Sequence, residues 1–184
     1  MREAAFLLAA ATVLSNLLAL LRDRLLASRF GASTELDIYY AAFRIPDLLY
    51  AFSLFFVAST VVIPLFLERL AESEERAREF VDTILFAFLI STLVLAVAAY
   101  LCMPFIVPYY VPGFSAEHQQ EVVQMARILL ISPLFLGLSG LLSSILQSFR
   151  RFFVYAATFL FYNIGVIVGI LWFVPRWGLL GLAW

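Results

Sequence analysis

Residues 80–104 form an almost wholly apolar run, and stretches of the same character recur along the chain. A backbone that crosses lipid must satisfy its own hydrogen bonds, so these stretches are helices. About 20 helical residues cross a hydrocarbon core, and on that yardstick there are five full spans, over about 3–30, 35–70, 80–104, 116–149 and 152–173. A sixth apolar run begins at 178 and is too short to cross by residue 184, so the chain is expected to be a piece of a longer protein. The fold class that follows is all-α integral membrane, a polytopic helical bundle in one transmembrane domain. A hydrophobic share of 64%, a charged share of 14% and a mean hydropathy of +1.00 exclude an ordinary soluble domain.

Local signals punctuate these spans. Gly31 ends the first, and Ser33 and Thr34 are candidate caps for the second. Pro46 and Pro64 are expected to bend or break span two, and Pro133 to bend span four. Glu68 to Glu79 reads as a solvated, mixed-charge helical turn. Span three is expected to end at Pro104, and PFIVPYYVPGFS to rest at the membrane interface as a loop anchored by Tyr109 and Tyr110. Arg2, Arg69, Arg76, Arg78, Arg150 and Arg151 fall on one side of the membrane, with Arg29 and Arg176 on the other. Positive residues favour the cytoplasmic side, which places the N-terminus there.

The exception to the apolar pattern is the stretch that carries Arg22, Asp23, Arg24, Arg29, Asp37, Arg44 and Asp47. Charge at or near bilayer depth is retained where it lines an enclosed cavity, so this stretch is the candidate site and its cargo is expected to be charged. Ser15 or Asn16, Arg22 and Arg29 recur at about seven-residue spacing, along one helical stripe. Arg22 and Asp23 are sequence neighbours and are expected to point to different sides, leaving each to find a partner in Asp37, Arg44 or Asp47. Two readings stand for Arg22 and Asp37: a substrate site, or an ion-pair lock between spans one and two. Arg24, Arg29 and Asp47 read as a lock or as residues reaching the interface.

Catalysis finds no support in the sequence. His118 is the single histidine, and no metalloprotease, nucleophile-elbow, phosphate-loop or paired-cysteine pattern occurs. No enzyme activity, metal or cofactor is expected. A net charge of −1 with no basic tract argues against nucleic acid as a partner. The lone Cys102 reads as packing, and Gln124, Arg127, Ser139, Ser143, Ser144, Gln147, Tyr162 and Asn163 as helix contacts. Gly137, Gly140, and Gly165 with Gly169 in GxxxG spacing, suit close helix approach.

Arg22-Asp23, then Arg29-Phe30-Gly31-Ala32, Asp37, and Ala42-Phe43-Arg44-Ile45-Pro46-Asp47-Leu48-Leu49 resemble the opening of the MurJ/MviN lipid II flippases, with the pattern RD, xFGA, TDAFxxAFKxPNLLR. Pro64 after Val62-Ile63, Pro112-Gly113-Phe114, the ILQSFRRF segment, Asn163 and Gly181-Leu182-Ala183-Trp184 continue the likeness in order. The resemblance implies the fold of the multidrug/oligosaccharidyl-lipid/polysaccharide exporter superfamily, with this chain as most of an N-terminal lobe. It also implies a multi-pass protein of the bacterial cytoplasmic membrane that moves lipid-linked peptidoglycan precursor, lipid II, by alternating access. The partners implied are that lipid-linked oligosaccharide, membrane lipids and the remainder of the transporter chain. Carried over residue by residue, the substrate-binding positions are Arg22, Asp37, Arg44, Asn16 and Tyr50. Asn16 and Tyr50 stand where the resemblance leads one to expect arginines, and Phe55-Phe56 where it leads one to expect Glu-Gly. Those departures keep two alternatives open, an exporter of another polyprenyl-linked oligosaccharide and a non-transporting membrane scaffold.

Overall fold

The computed structural model describes residues 2–57, 59–149 and 152–183. Arg150, Arg151 and Trp184, used in the readings above, lie outside the described residues, as do the side chains of Arg2, Phe55, Phe56 and Gln147. Every regular element described is helical: α1 (Arg2–Phe30), α2 (Thr34–Val57), α3 (Ser59–Glu72), α4 (Glu74–Tyr110), α5 (Ala116–Leu129), α6 (Ser132–Ser148) and α7 (Phe152–Val168). A π-helical turn (Gly169–Phe173), the short α8 (Val174–Trp177) and a 3-10 turn (Gly178–Leu182) follow. By length and hydropathy, Glu74–Tyr110, Ala116–Leu146 and Leu160–Leu182 each suffice to cross a membrane. At 29 and 24 residues, α1 and α2 also have the length, and both carry charge within it.

The first turn forms as its residues dictate. Gly31 adopts a φ of 61° and donates to the Ala27 carbonyl at 2.9 Å, closing α1. Ser33 Oγ accepts from the Leu36 amide at 3.4 Å, so Ser33 rather than Thr34 caps α2. The mixed-charge stretch turns at Ser73, whose side chain accepts from the Arg76 amide at 3.1 Å, with the Arg69–Glu72 and Arg76–Glu79 pairs exposed to either side.

Three prolines expected to break or end a helix are carried within one. Pro46 and Pro64 both lie inside helices, and neither breaks its helix. Span three does not stop at Pro104 but runs through Pro104 and Pro108 to Tyr110. Each proline removes one backbone hydrogen bond, whereas leaving the helix within lipid would expose several, so the helix continues. The interfacial loop therefore shrinks to residues 111–115. Tyr109 remains outward at 88% exposure, but Tyr110 turns inward and its hydroxyl donates to the Ala41 carbonyl at 2.7 Å. That acceptor adjoins Ala42, whose carbonyl is the one that Pro46 leaves without its helical donor. In span four the helix is interrupted at Leu130 and Ile131, so that Pro133 sits in the first turn of α6, where its missing N–H removes nothing.

Membrane helices gain little from hydrophobicity against one another and associate through close packing. In this bundle α1 packs on α7, α2 on α5 and α6, and α3 on α4 and α6. Ile38, Ala42, Met103, Val107, Val122, Met125 and Ala126 fill the core among α2, α4 and α5. Gly137 permits a close approach of three helices, because a Cβ there would lie 2.5 Å from the Phe88 ring of α4 and 3.0 Å from Ser53 Oγ of α2. Gly165 instead meets open space and Gly169 only ordinary contact, so the GxxxG pair is not a close-packing seam. The outward face of α4, with Phe86, Val94, Leu101 and Phe105, is exposed as a lipid-facing surface would be. Cys102 lies on that exposed side rather than in packing.

The sixth apolar run does not begin a new α-helix among the described residues. Gly178 turns the chain with a φ of 59°, and the 3-10 turn folds back so that a Cβ on Gly181 would lie 2.5 Å from the Phe173 carbonyl carbon.

Candidate functional site

Arg22 sits on the face of α1 that meets α7, half-buried at 25% side-chain exposure. Its Nη2 and Nε lie 2.8 and 2.9 Å from Asp23 Oδ1, and its Nη1 donates to Asn163 Oδ1 of α7 at 3.4 Å. The buried Asn163 donates in turn to Ser15 Oγ at 3.1 Å and to the Ser15 carbonyl at 3.4 Å. A polar chain of Ser15, Asn163, Arg22 and Asp23 thus joins α1 to α7, and Asn163 is the helix contact it was expected to be.

Two expectations fail here. Arg22 does pair with its neighbour Asp23, because a long, flexible arginine side chain wraps around the helix to a carboxylate on the next position. The lock between spans one and two does not form, since α1 rests on α7 while α2 packs against α5 and α6. Among the described residues no ion pair forms at Asp37, Arg44 or Asp47. Of the Ser15 and Asn16 alternatives, Ser15 shares the Arg22 stripe, and Asn16, about 100° round the helix from it, is exposed.

Asp37, Tyr40, Arg44 and Asp47 line the exposed face of α2, at the three- and four-residue steps of one helical stripe. The adjoining stripe of Tyr39, Phe43, Pro46, Asp47 and Tyr50 opens on a cavity of about 280 Å³. Phe161, Tyr162, Gly165 and Gly169 close it from the α7 side, and Ser132, Pro133 and Leu136 from α6. The open space beside Gly165 is part of this cavity rather than a helix contact. Tyr39 packs edge-on against Phe43 at 4.8 Å. Arg22 and Asp47 both lie within electrostatic range of the Tyr39 and Tyr162 hydroxyls, and Arg44 within that of Asp47.

Of the residues singled out from sequence, Tyr50 lines the cavity; Arg22 is outside its lining and bonds to Asn163, the residue that follows the lining Tyr162, and Arg44 is outside the lining within electrostatic range of Asp47. Asp37 lies further along α2 toward the 31–33 turn, and Asn16 lies outside the cavity lining. Asp47, Tyr39 and Tyr162 were not among the predicted binding residues, although the spacing of Tyr39, Phe43, Asp47 and Tyr50 marks one side of a helix and was a readable signal. The arrangement offers phenol hydroxyls, aromatic faces and one carboxylate in the wall, with the Arg22 guanidinium outside the lining on Asn163. Such a set suits a ligand that carries both hydroxyls and negative charge.

The family profile described as "Lipid II flippase MurJ" matches residues 26–184. A probable lipid II flippase MurJ of Buchnera aphidicola subsp. Baizongia pistaciae is 32% identical over 181 residues, which cover 94% of this chain and 35% of that protein. The lipid II flippase MurJ of Thermosipho africanus is 30% identical over 161 residues, covering 86% and 33%. Among solved structures, a lipid II flippase MurJ in an inward closed conformation superposes with a TM-score of 0.80 at 29% identity, covering 97% of this chain and 38% of that one. The chain spans about a third of the length of the curated relatives it matches.

Proposed function

We propose, from the premise that the chain belongs to the lipid II flippase MurJ family, that it forms the N-terminal lobe of a transporter for lipid-linked peptidoglycan precursor in the bacterial cytoplasmic membrane. The observation that carries this reading is Arg22, held by Asp23 and by the buried Asn163, the residue that follows Tyr162 of the tyrosine-lined cavity. An arginine fork fixed in that way is prepared for a phosphate oxygen. The rest of the ligand would lie along the exposed faces of α1 and α2, past Asn16, Asp37 and Arg44, under a second lobe that packs there. The role is transport by alternating access between two lobes rather than catalysis.

One feature favours the second reading, a transporter of another polyprenyl-linked oligosaccharide. Among the described residues the cavity wall carries Asp47, Tyr39, Tyr50 and Tyr162 and no cation, which is better matched to sugar hydroxyls than to a diphosphate alone. A photoreactive phenylalanine analogue at Tyr162 tests both readings in living cells. Crosslinking to lipid II is the expected result, with no crosslink from the lipid-facing Tyr109. Crosslinking to a different polyprenyl-linked sugar selects the second reading, and a silent Tyr162 beside a labelled Tyr109 contradicts the site.

The N-terminus lies on the cytoplasmic side in this proposal, supported by Arg69, Arg76 and Arg78 clustering at the α3–α4 turn. In a Cys102→Ser background, Ser73→Cys should resist an impermeant thiol reagent added to intact cells, and Gly113→Cys should react. The opposite pattern would invert the assignment.

A further inference from the structure

Arg127 lies on α5 in the wall of a lipid-facing groove of about 340 Å³ between α4 and the α5–α6 junction. Leu93, Ala96, Val97, Ile131 and Leu134 line the groove, and Leu93, Val97 and Ile131 are each more than half exposed, at 52%, 51% and 54%. A charged side chain in such a place needs a reason. Part of the reason is local. Helical geometry would join the Tyr100 carbonyl to the amide of residue 104, but Pro104 has no N–H to give. Arg127 Nε supplies the missing donor to that carbonyl at 3.3 Å, and its guanidinium lies 4.4 Å from the centre of the Tyr100 ring.

This repair uses one nitrogen of the fork. Among the described residues no carboxylate pairs with Arg127, and its two terminal nitrogens have no hydrogen-bond partner. Its depth limits what can reach them. Glu121 ends the polar first turns of α5, and six further residues at 1.5 Å each place Arg127 about 9 Å below that level. A lipid phosphate drawn slightly inward meets an arginine reaching outward over that distance. Acyl chains that continue from such a phosphate would run along the apolar groove.

We propose that the groove between α4 and the α5–α6 junction holds one anionic phospholipid of the leaflet nearest the 111–115 loop, with its phosphate on the outer nitrogens of Arg127 and an acyl chain against Leu93, Val97 and Ile131. The site lies on the side of α4 and α5 away from the tyrosine-lined cavity and shares no lining residue with it. It does not depend on which lipid-linked sugar is moved.

The repair of α4 and the capture of lipid are separated by first making the repair unnecessary. Pro104→Ala restores a backbone donor to the Tyr100 carbonyl, so a second change at Arg127 no longer leaves that carbonyl orphaned. Native mass spectrometry counts phosphatidylglycerol retained by the purified protein after release from vesicles containing equal phosphatidylglycerol and phosphatidylcholine. Wild type and Pro104→Ala should each keep one phosphatidylglycerol in preference to phosphatidylcholine. The double variant Pro104→Ala, Arg127→Gln should lose about tenfold in that retention, the loss of one charged contact. Equal retention by the single and double variants would show that Arg127 only repairs the helix, and no preference for the anionic lipid in wild type would likewise overturn the proposal.

Discussion

Gly137→Leu is expected to cost the bundle about 3 kcal/mol and to leave little monodisperse protein after extraction. A Cβ at this position would lie 2.5 and 2.7 Å from two ring carbons of Phe88, and 3.0 Å from Ser53 Oγ. Phe88 is fully buried, and Ser53 is 2% exposed with its hydroxyl donating to the Tyr50 carbonyl at 2.6 Å, so neither neighbour has room to move aside. Three helices, α2, α4 and α6, meet at this glycine, and a leucine would have to push one of them away. Because α2 also carries Tyr39, Asp47 and Tyr50, the displacement would disturb the cavity as well. Gly137→Ala brings only the first carbon of the clash and should lower the unfolding midpoint by less. An unchanged midpoint for Gly137→Leu in a thermal unfolding series would contradict the packing of these three helices.

Much of this architecture was legible in the sequence because membrane helices are written in local terms. Length and hydropathy mark the spans, Gly31 and Ser33 mark the first turn, and Glu68 to Glu79 reads as the exposed turn it forms. The errors come from interactions that are not local. Pro104 was read as a stop because a missing donor is visible in sequence, whereas the guanidinium that replaces it comes from Arg127 on another helix. Gly165 and Gly169 have the spacing of a packing seam, yet Gly165 borders a cavity. The partner of α1 could not be read at all. Nothing in the sequence of α1 says that Asn163 will bind Ser15 and Arg22, and the ion-pair lock to span two was inferred only from opposite charges on consecutive helices.

The candidate site divides in the same way. Arg22 and Tyr50 stand out from the charged stretch and the family likeness; Tyr50 lies in the cavity wall, and Arg22 lies outside it on Asn163. Asp47 reads from sequence as a lock or interface residue because its charge is visible there, whereas the cavity it lines is formed by residues of other helices. Tyr39 is not singled out by the sequence and Tyr162 reads only as a helix contact, because aromatic residues are common in membrane helices and only the fold reveals which of them converge.

The second large effect is expected at Arg22. Its guanidinium is oriented by Asp23 at 2.8 Å and by Asn163 at 3.4 Å, and Asp23 is 56% exposed. Arg22→Gln keeps a polar side chain that can still reach Asn163 and removes the charge. A charged hydrogen bond contributes about 1.5–3 kcal/mol, which corresponds to a loss of about 10- to 150-fold in affinity. Asp37→Asn lies away from the cavity wall and should change affinity less.

The measurement that bears most directly on the central claim is equilibrium binding of lipid II to purified wild type, Arg22→Gln and Asp37→Asn, each shown to be folded by its unfolding midpoint. The account predicts a steep loss for Arg22→Gln at a midpoint near that of wild type. Lipid II binding that is unchanged in folded Arg22→Gln would contradict the assignment of this cavity as the place where the chain holds its substrate.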